Sequence, residues 1–109
     1  MYTYTATIGR NVPGHEGEPM TLTMWEQFRE DVTADMHRFA VESAIHVECV
    51  ETHYGKGVWC GVEEDSAKIT MLTTAQADNP GNLRRYLSEN ARHYGQDAIA
   101  LTIGVSELC

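Results

Sequence analysis

His46 and Glu48 are the first residues in this sequence whose types and spacing could do chemistry. They lie two residues apart in an alternating stretch, so their side chains project side by side from a predicted strand. An imidazole beside a carboxylate can bind a metal ion or move a proton. A metal site needs a third ligand, which no spacing in the sequence supplies, and a half-exposed polar pair on a sheet is the alternative. We therefore predict no metal and no cofactor, and keep both residues as candidate binding residues.

The second candidate is the segment Tyr54-Gly55-Lys56-Gly57-Val58-Trp59. Its glycines let backbone N–H groups approach a ligand, and Lys56 adds a positive charge. Trp59 is the type of residue that anchors protein interfaces. The segment lacks the GxxxxGK[ST] spacing of a phosphate-binding loop. It predicts a binding loop that uses Tyr54, Lys56 and Trp59, and the alternative is a hairpin turn in which Trp59 covers the edge of the core.

The sequence contains no recognisable motif for nucleophilic catalysis. Cys49, Cys60 and Cys109 form no CxxC pair, and neither GxSxG nor HExxH occurs. Alternation places Cys49 on the apolar side of its strand, where a thiol is buried and inert. We therefore predict no catalytic residue, and the sequence leaves open whether the protein is an enzyme.

Charge and hydropathy exclude several classes of protein. The chain carries 8 basic and 16 acidic residues, a net charge of −8, whereas nucleic-acid binders usually present a basic face. We expect no direct nucleic-acid binding; the acidity suits solubility and basic partners. No apolar run approaches the about 20 residues of a membrane span, and the N-terminus lacks the pattern of a signal peptide. A cytoplasmic protein with no membrane partner is expected.

Periodicity predicts the elements that position these residues. We predict strands over 2–8, 44–53, 67–74 and 98–105, and helices over 23–39 and 80–94. Thr23 and Glu26 fit a capping box at the start of the first helix, Asn79 caps the second, and Gly95 ends it. Residues 58–62 are either a short extra strand or part of a hairpin, and 63–66 are a polar turn.

The order β-α-β-β-α-β predicts one ferredoxin-like α+β domain over residues 1–109, with two helices on one face of an antiparallel sheet. The other face would be open and mixed in character. We expect it to carry Thr3, Thr5, Thr7, His46, Glu48, Val50, Lys68, Thr70, Leu72, Ala100 and Thr102. Such a face can remain in water or mediate a homodimer.

Four segments of the sequence, YTATIGRNV, MTLTMWEQF, THYGKGVWCGVEEDSAKIT and YGQDAIALTIGVSEL, resemble small uncharacterised proteins of actinobacteriophages, including mycobacteriophages. The resemblance spans nearly the whole chain and brings no catalytic motif. It implies a phage-encoded protein that acts on host machinery or host defence by binding.

Two functional hypotheses follow. The main one is a small acidic binding protein that engages or inhibits a host protein through the Thr-rich sheet face and the segment from Tyr54 to Trp59. The alternative is a dimeric ferredoxin-like protein that binds a small ligand, or an enzyme, with a pocket on the open sheet face. His46, Glu48 and Tyr54 would then take polar roles in that pocket.

Overall fold

The computed structural model describes residues 1–12, 18–59 and 61–107, without the side chain of Trp59. Its elements are β1 (Tyr2–Gly9), α1 (Leu22–Glu42), β2 (Val47–Trp59), β3 (Val62–Thr73), α2 (Gly81–His93) and β4 (Ala100–Val105). The predicted element order is therefore confirmed. Within these described residues, no helix is long and apolar enough to cross a membrane.

The four strands form one sheet in the order β2-β3-β1-β4, and each neighbouring pair is antiparallel. This is the ferredoxin-like α+β arrangement that the sequence predicts. β1 and β3 lie in the centre of the sheet, while β2 and β4 form its edges. Both helices pack on the same face, which leaves the opposite face without cover from the described elements.

The core forms where the apolar side of the sheet meets the two helices. Tyr4, Ala6 and Ile8 of β1 are buried, and the threonines between them are only half-buried, as strict alternation requires. The ring of Tyr4 meets Phe39 edge to face at 5.5 Å between centroids, a preferred geometry for aromatic pairs. Leu83 of α2 is also fully buried, so both helices contribute to one core.

The ends of the helices differ in part from the prediction. α1 is capped by Thr21, whose hydroxyl accepts from the Met24 N–H at 3.2 Å, so the predicted cap at Thr23 is wrong by one half-turn. Before α2, the Asn79 side chain accepts from the Gly81 N–H at 2.9 Å. Gly95 has a φ of +69°, which confirms its predicted role as a left-handed residue that follows the helix.

β2 and β3 form one long hairpin rather than strands interrupted by turns. β1 stops pairing with β3 at Gly9↔Ser66, but β2 and β3 continue to pair as far as Trp59↔Val62. We call the paired residues 56–59 and 62–65 the hairpin arm. The predicted binding loop over 54–59 and the predicted polar turn over 63–66 are wrong as loops, because the arm extends beyond the core, where strands need no apolar alternation. Of the predicted segment 58–62, Val58, Trp59 and Val62 belong to this hairpin and do not form a separate strand, and Cys60 lies outside the described residues.

A bulge reverses the alternation near the start of β2. The register with β3 shifts between Val47 and Cys49, which places Glu48 as an extra residue. Val50 consequently packs against the core instead of lying on the open face, and Cys49 is exposed instead of buried. Both of these sequence predictions were wrong for the same physical reason. His46 lies just before the strand.

Candidate functional site

His46 and Glu48 meet at the edge of the sheet but form no larger site. His46 Nε2 lies 3.4 Å from Glu48 Oε1, and both side chains are exposed. Within the parts of the chain that the structure describes, no three or more His, Cys, Asp or Glu side chains cluster as metal ligands would. From Glu48 to Lys56 the extended strand covers about 26 Å, so these candidates do not share a site.

The other predicted binding residues lie on the far half of β2. Tyr54 is 62% exposed and pairs with Ala67, so it projects toward the helix side of the sheet. Lys56 Nζ binds Asp65 Oδ1 across the hairpin arm. The backbone of Trp59 ends β2, but its side chain lies outside the described residues, as does Cys60. Among the four predicted binding residues whose side chains the structure describes, only Lys56 lines a large cleft.

This cleft has a volume of about 690 Å³ and lies at the end of the open sheet face, beside the hairpin arm. We call it the sheet-end cleft. It is lined by Thr7, Ile8, Gly9, Asn11, Val12, Lys56, Gly57, Val58, Val62, Glu64, Ser66, Lys68, Gln96, Asp97, Ala98 and Ala100. Its position fits the pocket on the open face that the second hypothesis predicts.

Glu64 is the most firmly held carboxylate in the sheet-end cleft. Its Oε2 accepts a hydrogen bond from the Asn11 backbone N–H at 2.9 Å, and its carboxylate lies directly over Gly9. A Cβ on Gly9 would stand only 2.3 Å from Glu64 Oε1, so the absence of a side chain there makes this placement possible. Sequence reasoning missed Glu64 because residues 63–66 resemble a polar turn.

An ion cluster on the opposite side of the arm supports this geometry. Arg10 Nη1 lies 3.1 Å from Asp65 Oδ2, and Arg10 Nε donates to the Met20 carbonyl at 2.9 Å. Lys56, and then Arg10, lower the pKa of Asp65 through hydrogen bonds to the carboxylate. The same contact with Asp65 raises the pKa of Lys56. These contacts connect the arm to the segment that follows β1, and so stabilise one wall of the cleft.

Lys68 supplies a positive charge on the open face of the sheet. It is exposed on the open face of β3, on the same side as Glu64 and Ser66. Within the described part of the chain, no carboxylate oxygen lies within 4.0 Å of its ammonium group. The period-2 spacing of Glu64, Ser66 and Lys68 is the sequence signal that could have identified this face.

The cleft therefore combines opposite charges with apolar surface. Glu64 provides an anchored anion, Lys68 an ammonium group with no carboxylate oxygen within 4.0 Å among the described residues, and Val12 and Val62 an apolar lining. Such a surface can bind a small molecule that has an apolar or ring portion and also carries both charges.

No protein-family model matches this sequence, and no curated protein matches it. The fold is similar to that of a phage SAM lyase in its apo state, with a TM-score of 0.66 and 19% identity; the match covers 94% of this chain and 78% of that one. It is also similar to a phage SAM lyase in complex with S-methyl-5′-thioadenosine, with a TM-score of 0.59 and 13% identity; that match covers 94% of this chain and 79% of the other.

These similarities correct the main hypothesis drawn from the sequence. Structures that share the fold over nearly the whole chain are those of an enzyme that acts on a small molecule, so the expectation of a host-binding protein was wrong. The alternative, a small-ligand protein or enzyme with a pocket on the open sheet face, is better supported. Both similar structures come from phages, in line with the origin that the sequence segments suggest.

Proposed function

We propose that this protein binds S-adenosylmethionine (SAM) in the sheet-end cleft and cleaves it, releasing S-methyl-5′-thioadenosine. The observation that carries the proposal is the presence, on one face of β3, of the anchored Glu64 carboxylate and of the Lys68 ammonium, which has no carboxylate oxygen within 4.0 Å among the residues that the structure describes. The similarity of the fold to phage SAM lyase supports the choice of substrate.

The charges of SAM suit those of the cleft. Its amino-acid arm carries an ammonium and a carboxylate group, its sulfur is a sulfonium cation, and its adenine ring is flat and can pack against apolar side chains. In the proposed complex, Glu64 accepts from the substrate ammonium, Lys68 attracts the substrate carboxylate, and the adenine ring lies against Val12 and Val62.

The chemistry assigns different tasks to the charged and apolar parts of the cleft. Cleavage breaks the bond between the sulfonium sulfur and the γ-carbon of the four-carbon amino-acid arm, and sulfur keeps the electron pair. An oxygen of the substrate's own carboxylate forms the new bond to that carbon, so the four-carbon product is an aminolactone and no other reactant is needed. Because the positive charge on sulfur is lost as this bond breaks, an apolar wall favours the transition state over the substrate. Ionic side chains are better used at the α-carbon end of the amino-acid arm, where Glu64 and Lys68 can orient its ammonium and carboxylate groups.

Incubation of the full chain with SAM tests this function directly. We expect S-methyl-5′-thioadenosine to accumulate with enzyme and time, measured by liquid chromatography and mass spectrometry, which also identifies the four-carbon product. Glu64→Gln should lower kcat/KM by about ten- to a hundredfold, because a charge-assisted hydrogen bond to the substrate is lost. The amide oxygen of Gln can still accept from Asn11, so the variant should fold.

Glu63→Gln is the matched control for this substitution. Glu63 is the adjacent residue, is exposed, and does not line the cleft, yet its change removes the same charge. It should retain the kcat/KM of the unchanged protein. Thermal stabilisation by S-methyl-5′-thioadenosine without any turnover of SAM would mean that the protein binds this ligand but does not cleave SAM. Absence of both turnover and stabilisation would refute the proposal.

We also propose that the protein is phage-encoded and acts in the cytoplasm of an infected bacterium. The sequence resemblance and the phage origin of the similar structures support the first part, and the charge and hydropathy pattern supports the second. Fractionation of infected cells, followed by mass spectrometry of the soluble and membrane fractions, tests the location. Recovery chiefly with membranes would contradict it.

A further inference from the structure

A second cleft, with a volume of about 600 Å³, lies between α2 and the edge strand β4. One side is formed by Arg84, Ser88 and Arg92 of the helix, while Leu87, Ile99 and Leu101 contribute apolar surface. We call it the arginine cleft. The loop at 96–98 lines both this cleft and the sheet-end cleft, so the loop separates the two.

The charge of the arginine cleft is unusual in a chain with a net charge of −8. The basic residues Arg10, Arg29, Arg38 and Lys56 each lie within 4.0 Å of a carboxylate. Arg85 lies over the ring of Tyr86, at 5.4 Å from its centroid.

Arg84 and Arg92 have no carboxylate within 4.0 Å among the residues that the structure describes. Asp97 also lines the cleft but lies beyond that distance from both guanidinium groups. Two of the protein's few basic residues thus face one cleft with their charge available.

Helix geometry places these side chains in one row. Arg84, Ser88 and Arg92 are spaced four residues apart, so they lie on one side of α2, and about 6 Å along the helix axis separates each from the next. Ser88 therefore lies between Arg84 and Arg92 in this row. The two buried residues Leu87 and Ala91 lie beside this row and give the cleft an apolar base.

We propose that the arginine cleft binds a small phosphate monoester whose organic portion is apolar or aromatic. A phosphate monoester carries nearly two negative charges at neutral pH and offers three terminal oxygens. Guanidinium groups bind phosphate oxygens in pairs of parallel hydrogen bonds, and a serine hydroxyl can donate one more. The organic group then covers the surface of Leu87 and Leu101. This inference is independent of the function proposed for the sheet-end cleft.

Titration of the ¹⁵N-labelled full chain with phenyl phosphate tests the proposal by NMR. We expect saturable shifts at the amides of 84–92 and 97–101 below about 10 mM ligand, as a millimolar or tighter site requires. Arg84→Gln and Arg92→Gln should each weaken binding by about tenfold, the loss expected for one charge-assisted contact. Arg85→Gln is the matched control: it removes the same charge from the next residue, outside the cleft.

Other results would overturn the proposal. Equal weakening in Arg84→Gln and Arg85→Gln would mean that net charge alone attracts the ligand. Inorganic phosphate binding as tightly as phenyl phosphate would mean that the apolar base contributes nothing, so the ligand class is wrong. Shifts confined to residues outside the cleft, or none at all, would also refute the site. The amide spectrum of each variant shows whether it is folded.

Discussion

Gly9 is the residue on which the placement of Glu64 most directly depends. We expect Gly9→Ala to displace the Glu64 carboxylate, because the new Cβ would stand 2.3 Å from Glu64 Oε1. The far end of a flexible side chain can move, so the free energy of unfolding should fall by less than about 1 kcal/mol. SAM cleavage should fall by about ten- to a hundredfold, because a misplaced group loses its orientation toward the substrate.

Gly55→Ala is the control for Gly9→Ala at the same level of the sheet. A Cβ on Gly55 would meet only Ser66 Oγ, at 4.0 Å, so no group has to move. Kinetic assays and urea unfolding of both variants separate an effect on the site from an effect on the fold. Unchanged SAM cleavage in Gly9→Ala would show that the position of Glu64 does not matter to the reaction.

At the scale of the element, the bulge in β2 predicts the reactivity of Cys49. In a variant that lacks the thiols of Cys60 and Cys109, we expect Cys49 to react with a disulfide reagent in native buffer, because the bulge leaves it exposed. The same thiol moved one residue along, in Cys49→Ser/Val50→Cys, should react more slowly, because residue 50 packs against the core. If Cys49 reacted only in denaturant, its thiol would be buried, as the sequence predicts for a strand without a bulge.

The two helices are joined by a row of polar contacts. Tyr86 donates to Glu42 at 2.6 Å, Asn90 donates to Asp35, and the Tyr94 hydroxyl donates to Asp31. Burial, together with the bond to Asp31, raises the pKa of Tyr94 to about 12. These contacts orient α2 against α1, and they predict how stability depends on pH.

The raised pKa of Tyr94 predicts a loss of stability in alkali. The unfolded chain releases this proton near pH 10, but the folded protein retains it to about pH 12. Tyr94 therefore stabilises the fold fully below pH 10, and this contribution is lost as the pH rises toward about 12. Between about pH 9 and about pH 11, urea midpoints should fall less in Tyr94→Phe than in the unchanged protein.

Tyr54→Phe provides the control for this alkaline loss. Tyr54 is 62% exposed, so its substitution removes a phenol without disturbing the row between the helices. The urea midpoint of this variant should follow that of the unchanged protein across the same range. An equal alkaline loss in Tyr94→Phe and the unchanged protein would contradict the assigned pKa.

At the scale of the whole molecule, the fold was predictable because its periodic segments bury one side. Tyr4, Ala6 and Ile8 alternate with threonines, and the same pattern in β3 buries Ala67, Ile69 and Met71. Such patterns reflect the core, which local sequence encodes. The bulge at Glu48 was not predictable. One extra residue exchanges the sheet faces to which the following side chains point, but it does not change the composition of the strand.

The sheet-end cleft was less predictable because it depends on residues distant in sequence. Gly9 and Asn11 meet Glu64 only because β1 pairs with β3, more than fifty residues further along. The polar run that contains Glu64 also satisfies the rules for a turn, and no local signal shows that it continues a strand. The sequence alone thus favoured Tyr54 and Lys56, whose glycine-rich surroundings are conspicuous, over the residues that line the cleft.

The homodimer through the open sheet face stays a prediction. The area and polarity of that face limit how strongly two copies could associate. Where all four strands lie side by side, about 4.8 Å apart and over the roughly 20 Å of the six-residue β4, they cover roughly 400 Å², half of what each partner buries in a standard interface. The centre of the face is polar, with Thr5 and Thr70 hydrogen-bonded at 3.1 Å. Any dimer through this face should therefore be weak and should dissociate on dilution.

Sedimentation across a dilution series tests this prediction of a weak dimer. We expect the mass to fall toward the 12.2 kDa of one chain as concentration falls. Thr70→Glu should give that mass at every concentration, because it places a charge at the centre of the face. Val41→Glu, on the exposed surface of α1, should behave as the unchanged protein. A dimer that persists on dilution and in Thr70→Glu would have its interface on another surface. The exposed Val58 and Val62 of the hairpin arm would then be the next residues to substitute.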